Sequence, residues 1–147
     1  MYKRILVATD GSKLSNMAVE HAIGLADITG AEVVALKVVP RYPQTYFEGG
    51  VALAAAEVAR IEKQWNDEAM EAVNAVKAAG QKREVKVKPV TVKSDLIAEA
   101  IIAAAKRNKV DLIVMASHGR KGLKRLLLGS ETQQVLTHSH IPVLVLR

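Results

Sequence analysis

Two places in the sequence combine an apolar run with residues that could contact a ligand. A short apolar run, residues 5–9, ends at Asp10, and a second apolar run, residues 110–116, leads within three residues to Gly119. Glycine allows backbone N–H groups to approach an anion closely because it has no side chain to keep them apart. The residues after the second run therefore predict a phosphate contact.

A second glycine, Gly129, follows Gly119 after nine intervening residues and stands directly before Ser130. Ser130 and Gln133 form the capping pattern that begins a helix. The first N–H groups of a helix are unpaired and lie at the positive end of its dipole, so they favour phosphate. The intervening segment carries four basic residues and is long enough to loop out. Both glycines are therefore expected at one ligand.

Patterns for catalysis and metal binding are missing around these residues. His118 has no Ser-His-Asp arrangement, so we expect it to make a loop hydrogen bond rather than act as a general base. His138 and His140 have no metal-ligating neighbours in the sequence. The sequence contains neither a Walker lysine frame nor a carboxylate pair spaced for two magnesium ions. A binding protein is favoured, and a slow ATPase or nucleotidyl transferase remains an alternative.

Apolar runs and helical periodicities alternate along the chain and predict the elements that position these residues. Runs bounded by turn residues predict strands at 5–9, 32–39, 84–92, 110–116 and 141–146. Helices are expected at 13–29, from the end of a loop at 41–50 to about residue 79, from Ser94 or Asp95 to about residue 108, and from Ser130 onward. Gly30 and Gly80 are expected to end the first two helices, and Ser94 or Asp95 to cap the third.

This alternation of strands and helices predicts an α/β domain with a parallel sheet, right-handed crossovers and helices on both faces. The length of 147 residues fits one domain, 1–147. In such sheets ligands bind outside the carboxyl ends of the strands, where the strand order reverses. Asp10 and Gly119 both follow carboxyl ends, so the sheet is expected to bring them together.

Composition narrows the class of partner. The net charge of +6 attracts phosphate-bearing partners in general. Aromatic residues make up only 3% of the chain, which argues against stacking on single-stranded nucleic acid. There is no cysteine, no apolar stretch near the ~20 residues that cross a bilayer, and no signal-peptide pattern. We expect a cytoplasmic protein without a nucleic-acid or membrane partner.

The sequence resembles the universal stress protein family along residues 2–147. The ATP-binding branch of that family carries a glycine, two residues, a glycine, nine residues, and then glycine followed by Ser or Thr. The frame here is Ala116, Gly119, Gly129 and Ser130, and it departs from the motif only at Ala116. The opening Ile-Leu-Val-Ala-Thr-Asp-Gly-Ser and the closing Ile-Pro-Val-Leu-Val are also similar to the family. The resemblance implies a three-layer open sheet of five parallel strands in the order 3-2-1-4-5, Rossmann-like and adenine nucleotide alpha hydrolase-like.

The resemblance also implies a site for an adenine nucleotide, ATP or AMP, with Mg²⁺ as a companion of ATP. Residues that would surround the adenosine are Ala8, Thr9, Asp10, Val38, Met115 and Ala116. Among these, Asp10 would lie near the ribose and Val38 would offer backbone atoms to the adenine. Residues that would hold the phosphates, chiefly through backbone N–H groups, are Gly119, Gly129, Ser130 and Glu131.

The two edges of the implied sheet are protected differently. Strand three carries Lys86, Lys88 and Pro89, which disfavour edge-to-edge pairing. The last strand, Ile141–Leu146, is apolar on both faces and has no charge before Arg147. Pairing of this strand with its copy in a second subunit would cover this edge in both subunits at once. We expect a homodimer through Ile141–Leu146, and an edge that stays bare is the alternative.

The expected function is that of a stress-response or signalling module whose nucleotide-bound state is read by partners. Two alternatives stay open. One is a dimeric stress-response interaction protein without bound nucleotide, similar to the branch of the family that lacks the glycine motif. The other is a slow ATPase. The retained pair Gly129-Ser130 argues against the first alternative.

Overall fold

In a computed structural model, strands and helices alternate along the residues that the structure describes, which are 1–43, 55–119 and 128–147. The strands are β1 (Arg4–Ala8), β2 (Glu32–Val39), β3 (Val87–Lys93), β4 (Leu112–Ala116) and β5 (Val143–Leu146). The helices are α1 (Lys13–Thr29), α2 (Ala55–Gln81), α3 (Ile97–Arg107) and α4 (Ser130–His138). Most of the predicted loop at 41–50 and of the basic segment after Gly119 lies outside the described residues.

The strands form one parallel sheet in the order β3-β2-β1-β4-β5. This confirms the implied strand order and fold class. The order reverses at β1, because the chain moves outward from β1 to β2 and β3 and then crosses back to β4 on the other side. The β1–β4 ladder ends at the pair Val7 and Val114.

Side chains alternate between the two faces of the sheet, and each face packs in a separate core. Ile5 and Val7 join a core with α1 and α2, whereas Leu6 joins a core with α3 and α4. Each central strand is buried on both faces, so its sequence is apolar without alternation. The helices therefore lie on both faces, as predicted.

Helix α1 has the boundaries expected from its capping residues. The Ser12 side chain accepts a hydrogen bond from the backbone N–H of Ser15, and Ser12 is the N-cap. Gly30 is the C-cap, with a φ of 74° in the left-handed region that glycine adopts readily. These local interactions fix the direction in which the chain leaves β1.

The prediction that Gly80 ends the second helix is wrong. Helix α2 continues to Gln81, and β3 begins at Val87 instead of residue 84. A Cβ atom on Gly80 would lie 2.4 Å from Cγ2 of Val87, so this glycine allows close packing of α2 on β3. The connection turns instead at Glu84, which has a φ of 56°.

The predicted cap of the third helix is also wrong. Helix α3 begins at Ile97, and its N-cap residue makes no side-chain capping bond. Ser94 Oγ accepts from the Leu96 N–H at 3.1 Å, and Asp95 Oδ1 accepts from the Arg41 N–H at 2.9 Å. Both side chains therefore accept hydrogen bonds from the backbone N–H groups of loop residues, and these bonds take the place of a cap on the helix.

The last strand is shorter than predicted, because β5 begins at Val143 instead of Ile141. The N–H of Ile141 donates to Ser139 Oγ at 3.0 Å in a turn that precedes the strand. Pairing with β4 nevertheless starts at Pro142, whose carbonyl accepts from the Ile113 N–H at 2.9 Å.

Candidate functional site

A crevice opens where β1 and β4 separate at their carboxyl ends. Beyond the last β1–β4 pair, the N–H of Thr9 donates to Leu36 O of β2 at 2.9 Å. On the other side, the N–H of Ser117 donates to Leu146 O of β5 at 2.6 Å. Each strand thus follows its outer neighbour, and the two strands separate beyond the pair Val7 and Val114. This is the switch point at which the topology predicts a ligand.

A network of hydroxyl groups supports the turn that carries Asp10. The N–H of Ser12 donates to Asp10 Oδ1 at 2.9 Å, which fixes the carboxylate above the start of α1. Below it, the buried hydroxyls of Thr9 and Ser15 lie 3.3 Å apart. The Thr9 hydroxyl also accepts from the Gly11 N–H at 3.3 Å. The Thr9 side chain therefore supports the turn.

Gly119 lies directly against Asp10. A Cβ atom on Gly119 would be 2.6 Å from Asp10 Oδ2, a distance that only glycine avoids without a shift of the carboxylate. The turns after β1 and β4 therefore touch, as the common sheet edge predicted. His118 Nδ1 lies 3.1 Å from Ser117 Oγ, which confirms the expected loop hydrogen bond.

Gly129 packs on the same short segment from the other side. Its N–H donates to Ser117 O at 2.7 Å, and a Cβ atom there would lie 3.2 Å from that oxygen and 3.3 Å from His118 Cα. Gly119 and Gly129 thus belong to one cluster with Asp10, although nine residues separate them in the sequence. The spacing predicted this convergence correctly.

The first turn of α4 borders this cluster with its amino end. Gly129 is the N-cap and provides no side-chain cap, and the first intrahelical bond runs from Gln133 N to Gly129 O at 3.0 Å. Helix geometry leaves the N–H groups of the first three residues, Ser130 to Thr132, without an intrahelical acceptor. They form a preorganised donor set of the kind that binds phosphate.

The capping box predicted from Ser130 and Gln133 is wrong. Ser130 Oγ donates to Glu131 Oε2 at 3.0 Å, and Gln133 Nε2 donates to Leu128 O at 3.1 Å. Gly129, instead of Ser130, occupies the N-cap position, so the Ser130 hydroxyl cannot reach back to the donors that a capping serine satisfies. Within the described residues, no side chain therefore caps this helix end.

One wall beside the crevice is apolar. Ala8 and Val38 are half-buried and pack on the core shared with α3 and α4, and Met115 belongs to that core. These residues lie at the carboxyl end of β1 and one residue before the ends of β2 and β4, on the same face of the sheet. Ala116 follows Met115, and strand alternation sends its methyl group to the opposite face, which α1 covers.

Sequence reasoning missed two buried hydroxyl groups that support the site, Ser15 below Asp10 and Thr132 below the start of α4. Thr132 Oγ1 donates to Ala116 O at 2.9 Å. Both residues lie on helices whose sequences read simply as amphipathic. The available signal was a hydroxyl residue at a helix position that periodicity assigns to the buried face.

A second cleft, of about 180 Å³, lies on the other side of Asp10. It is bordered by Lys37, Val39, Trp65 and Glu68, among others, and the Trp65 ring stacks on Tyr42 with centroids 6.0 Å apart. Ligand pockets usually enclose roughly 300–1,000 Å³. This cleft is smaller, and the crevice between β1 and β4 is the stronger candidate.

Two further structural observations bear on partner class. None of the helices in the described part of the chain combines the length and apolarity needed to cross a bilayer. Within the same residues, no three His, Asp or Glu side chains gather as possible ligands of a metal ion.

Comparison with known proteins identifies similar chains. Residues 1–147 match the model of the universal stress protein family. Universal stress protein MJ0531 of Methanocaldococcus jannaschii is 37% identical over 147 residues, which cover 100% of this chain and 83% of the relative. MJ0577 of the same organism is 32% identical over 156 residues, covering 100% and 96%.

Solved structures agree with the fold. The structure of MJ0577 matches with a TM-score of 0.82 at 31% identity, covering 99% of this chain and 96% of the other. A universal stress protein in complex with cAMP matches with a TM-score of 0.72 at 24% identity, covering 99% and 97%. At that identity, the second likeness concerns the fold alone.

Proposed function

This chain belongs to the universal stress protein family, and on that premise we propose that it binds an adenine nucleotide in the crevice between β1 and β4. The observation that carries the proposal is the convergence of Gly119, Gly129 and Asp10 at the open amino end of α4. Two close backbone approaches and an uncapped helix end meet where the sheet topology favours a ligand. Each feature suits a phosphate beside a ribose.

In this proposal the crevice has a phosphate end and an adenosine end. Phosphate is bound by backbone N–H groups of Gly119, Ser130 and Glu131, with the Ser130 hydroxyl as a further donor once it leaves Glu131. Gly129, whose own N–H bonds Ser117 O, contributes by letting the phosphate approach the start of α4 closely. Adenosine lies on the apolar wall, in contact with Ala8, Met115 and the backbones of Thr9, Val38 and Ala116. The Asp10 carboxylate, held by the Ser12 N–H, accepts hydrogen bonds from the ribose hydroxyls.

The ligand class is supported by the backbone donors of the site, and a protein of the same fold was solved with a ligand of that class. The described site presents backbone donors without an intrahelical acceptor, which suit an anion. A structural neighbour was solved in complex with cAMP, an adenosine compound with a single phosphate. We propose ATP or AMP as the ligand, with Mg²⁺ entering only as a companion of the ATP phosphates. The protein then acts as a cytoplasmic stress-response or signalling module.

We further propose that the protein is a homodimer through the strand at Ile141–Leu146. Pro142 and Leu146 direct their backbone carbonyls to β4, so Val143 and Val145 direct their N–H groups to the outer edge of the sheet. At the opposite edge, the Lys86 carbonyl faces β2, which places the missing N–H of Pro89 on the outside. The edge at β5 thus keeps its outward N–H donors, whereas the edge at β3 lacks one at Pro89.

Calorimetric titration tests nucleotide binding. The wild-type chain should bind ATP, ADP or AMP saturably, and GTP is the control for adenine selectivity. Gly129→Val should weaken binding at least about ten-fold, because the side chain would push α4 away from Ser117 and His118. A variant at an exposed position of the same helix, Thr137→Val, should bind as wild type. Absence of heat and of thermal stabilisation with every nucleotide would refute the proposal.

A further inference from the structure

Thr132 is the polar side chain that anchors the first turn of α4. Only two of the nine residues of this helix, Thr132 and Val135, are buried, and Thr132 is 2% exposed. Val135 holds the second turn through apolar packing in the core with α3. The first turn, which carries the open donors, is instead held by the hydroxyl bond from Thr132 to Ala116 O at 2.9 Å.

The Ala116 carbonyl needs this partner because of its place in the sheet. The N–H groups of Ile113 and Ser117 donate to β5, so the alternate residue Ala116 directs its backbone groups toward β1. The β1–β4 ladder has already ended at Val114. The Thr132 hydroxyl satisfies a carbonyl that the divergence of the two strands leaves without a strand partner.

Two hydrogen bonds therefore attach α4 to the end of β4. The Gly129 N–H bonds Ser117 O at 2.7 Å, and the Thr132 hydroxyl bonds Ala116 O. The first bond uses a backbone group, which almost any residue provides. The second requires a hydroxyl at position 132. Together they fix the position and the tilt of the helix end relative to the crevice.

We propose that Thr132 is a positioning residue that sets the affinity of the site for the phosphate part of its ligand. The inference rests on the proposed nucleotide binding and deepens it. Thr132 acts through the Ala116 carbonyl by holding the N–H groups of α4 where they meet phosphate oxygens. The adenosine part lies mainly on Ala8, Val38 and Met115, whose positions do not depend on this bond.

The test compares adenosine, AMP and ATP as calorimetric ligands for the wild type and three variants. Thr132→Val keeps the shape and removes the hydroxyl, and it should weaken ATP and AMP binding about five- to ten-fold. Its affinity for adenosine should stay within about two-fold of wild type. Thr132→Ser should restore phosphate affinity. Thr137→Val removes an exposed hydroxyl from the same helix, which donates to Gln133 O, and should behave as wild type.

The outcomes separate the inference from the proposed function. An equal loss of affinity for adenosine and for ATP would show a general structural role and overturn the inference. Unchanged affinities in Thr132→Val would overturn it as well, while the proposed nucleotide binding would stand. A wild-type chain that binds none of the three ligands would refute the proposed function itself. If Thr132→Val does not fold, Thr132→Ala against Thr132→Ser gives the same comparison.

Discussion

At the scale of single residues, close approach decides the chemistry of the crevice. Polar residues stand beside Gly119 and Gly129 in the sequence and bond to their own neighbours. The glycines themselves allow the backbone segments to come close together. An added Cβ would meet Asp10 at one position and Ser117 and His118 at the other. The site is therefore built from backbone donors, and side chains mainly hold those donors in place.

Ala116, the residue that departs from the family motif, leads to a prediction about nucleotide affinity and stability. The Ala116 methyl points toward the α1 face, away from Ala8, Val38 and Met115, so Ala116→Gly should leave nucleotide affinity nearly unchanged. Loss of the buried methyl and the added chain entropy should lower the free energy of unfolding by about 1 kcal/mol. Calorimetry and chemical denaturation of one preparation measure both effects. A large change in affinity at unchanged stability would contradict the assigned direction of the methyl group.

At the scale of elements, two helical glycines make a matched pair. Gly80 lies under β3, where a Cβ would be 2.4 Å from Val87 Cγ2 and 3.0 Å from Val85 O. Gly24 lies within α1, where a Cβ would meet only the Arg83 side chain, at 3.5 Å. The same substitution should therefore have opposite effects on the two helices.

Gly80→Ala should destabilise the protein by about 1–3 kcal/mol, because the Val85 carbonyl and the buried Val87 side chain cannot withdraw freely from the new methyl. Gly24→Ala should stabilise it by about 0.5–1 kcal/mol through reduced entropy of the unfolded chain. Urea denaturation of both variants beside the wild type measures the difference. Equal and small effects would show that α2 adjusts its packing on β3 easily.

A small ionic group joins the amino ends of three strands. Glu32 lies between Lys86, at 3.3 Å, and Arg4, at 3.6 Å. The hydrogen bond from Lys86 and its charge, together with Arg4, hold the pKa of Glu32 below its usual value, against a smaller opposing effect of burial. The folded state therefore binds the Glu32 proton less readily than the unfolded state does.

A lowered pKa in the folded state contributes stability above the unfolded pKa, and this contribution is lost as the pH falls through the folded value. Glu32→Gln should thus be slightly less stable than wild type at neutral pH, and the difference should vanish in acid. The effect should be small and sensitive to salt, because the side chains are solvent-exposed. Denaturation at several pH values measures it, with Glu20→Gln as control. A difference that persists in acid would assign the stabilisation to packing.

At the scale of the whole molecule, the proposed dimer follows from the two sheet edges. Light scattering should report about twice the chain mass for wild type. Val145→Lys places a charge at the outer edge, and Val143→Pro removes an outward donor, so each should shift the mass to that of a monomer or an aggregate. Lys88→Ala at the opposite edge is the control and should leave the mass unchanged. A wild-type mass of one chain at high concentration would exclude this interface.

Prediction from the sequence worked where interactions are local or repeated. The apolar runs gave the order of the elements, and the family frame gave the order of the strands. The caps of α1 were correct because Ser12 and Gly30 act within a few residues of their own position. The spacing of Gly119 and Gly129 predicted their convergence, and Asp10 meets Gly119 because carboxyl ends of parallel strands share one edge.

The errors arose where distant residues meet. Gly80 was predicted to end a helix, but its role is to make room for Val87. Ser94 and Asp95 were predicted as caps, but they accept hydrogen bonds from backbone N–H groups of loop residues. Tertiary structure alone decided that the Ala116 methyl faces away from the apolar wall and that Thr132 bonds the Ala116 carbonyl. The sequence by itself determined the alternating elements and the parallel sheet, and its resemblance to a family implied the strand order and with it the place of the crevice. Contacts between residues far apart in the chain decided which groups form and support it, because local propensity carries no information about a partner that only folding brings near.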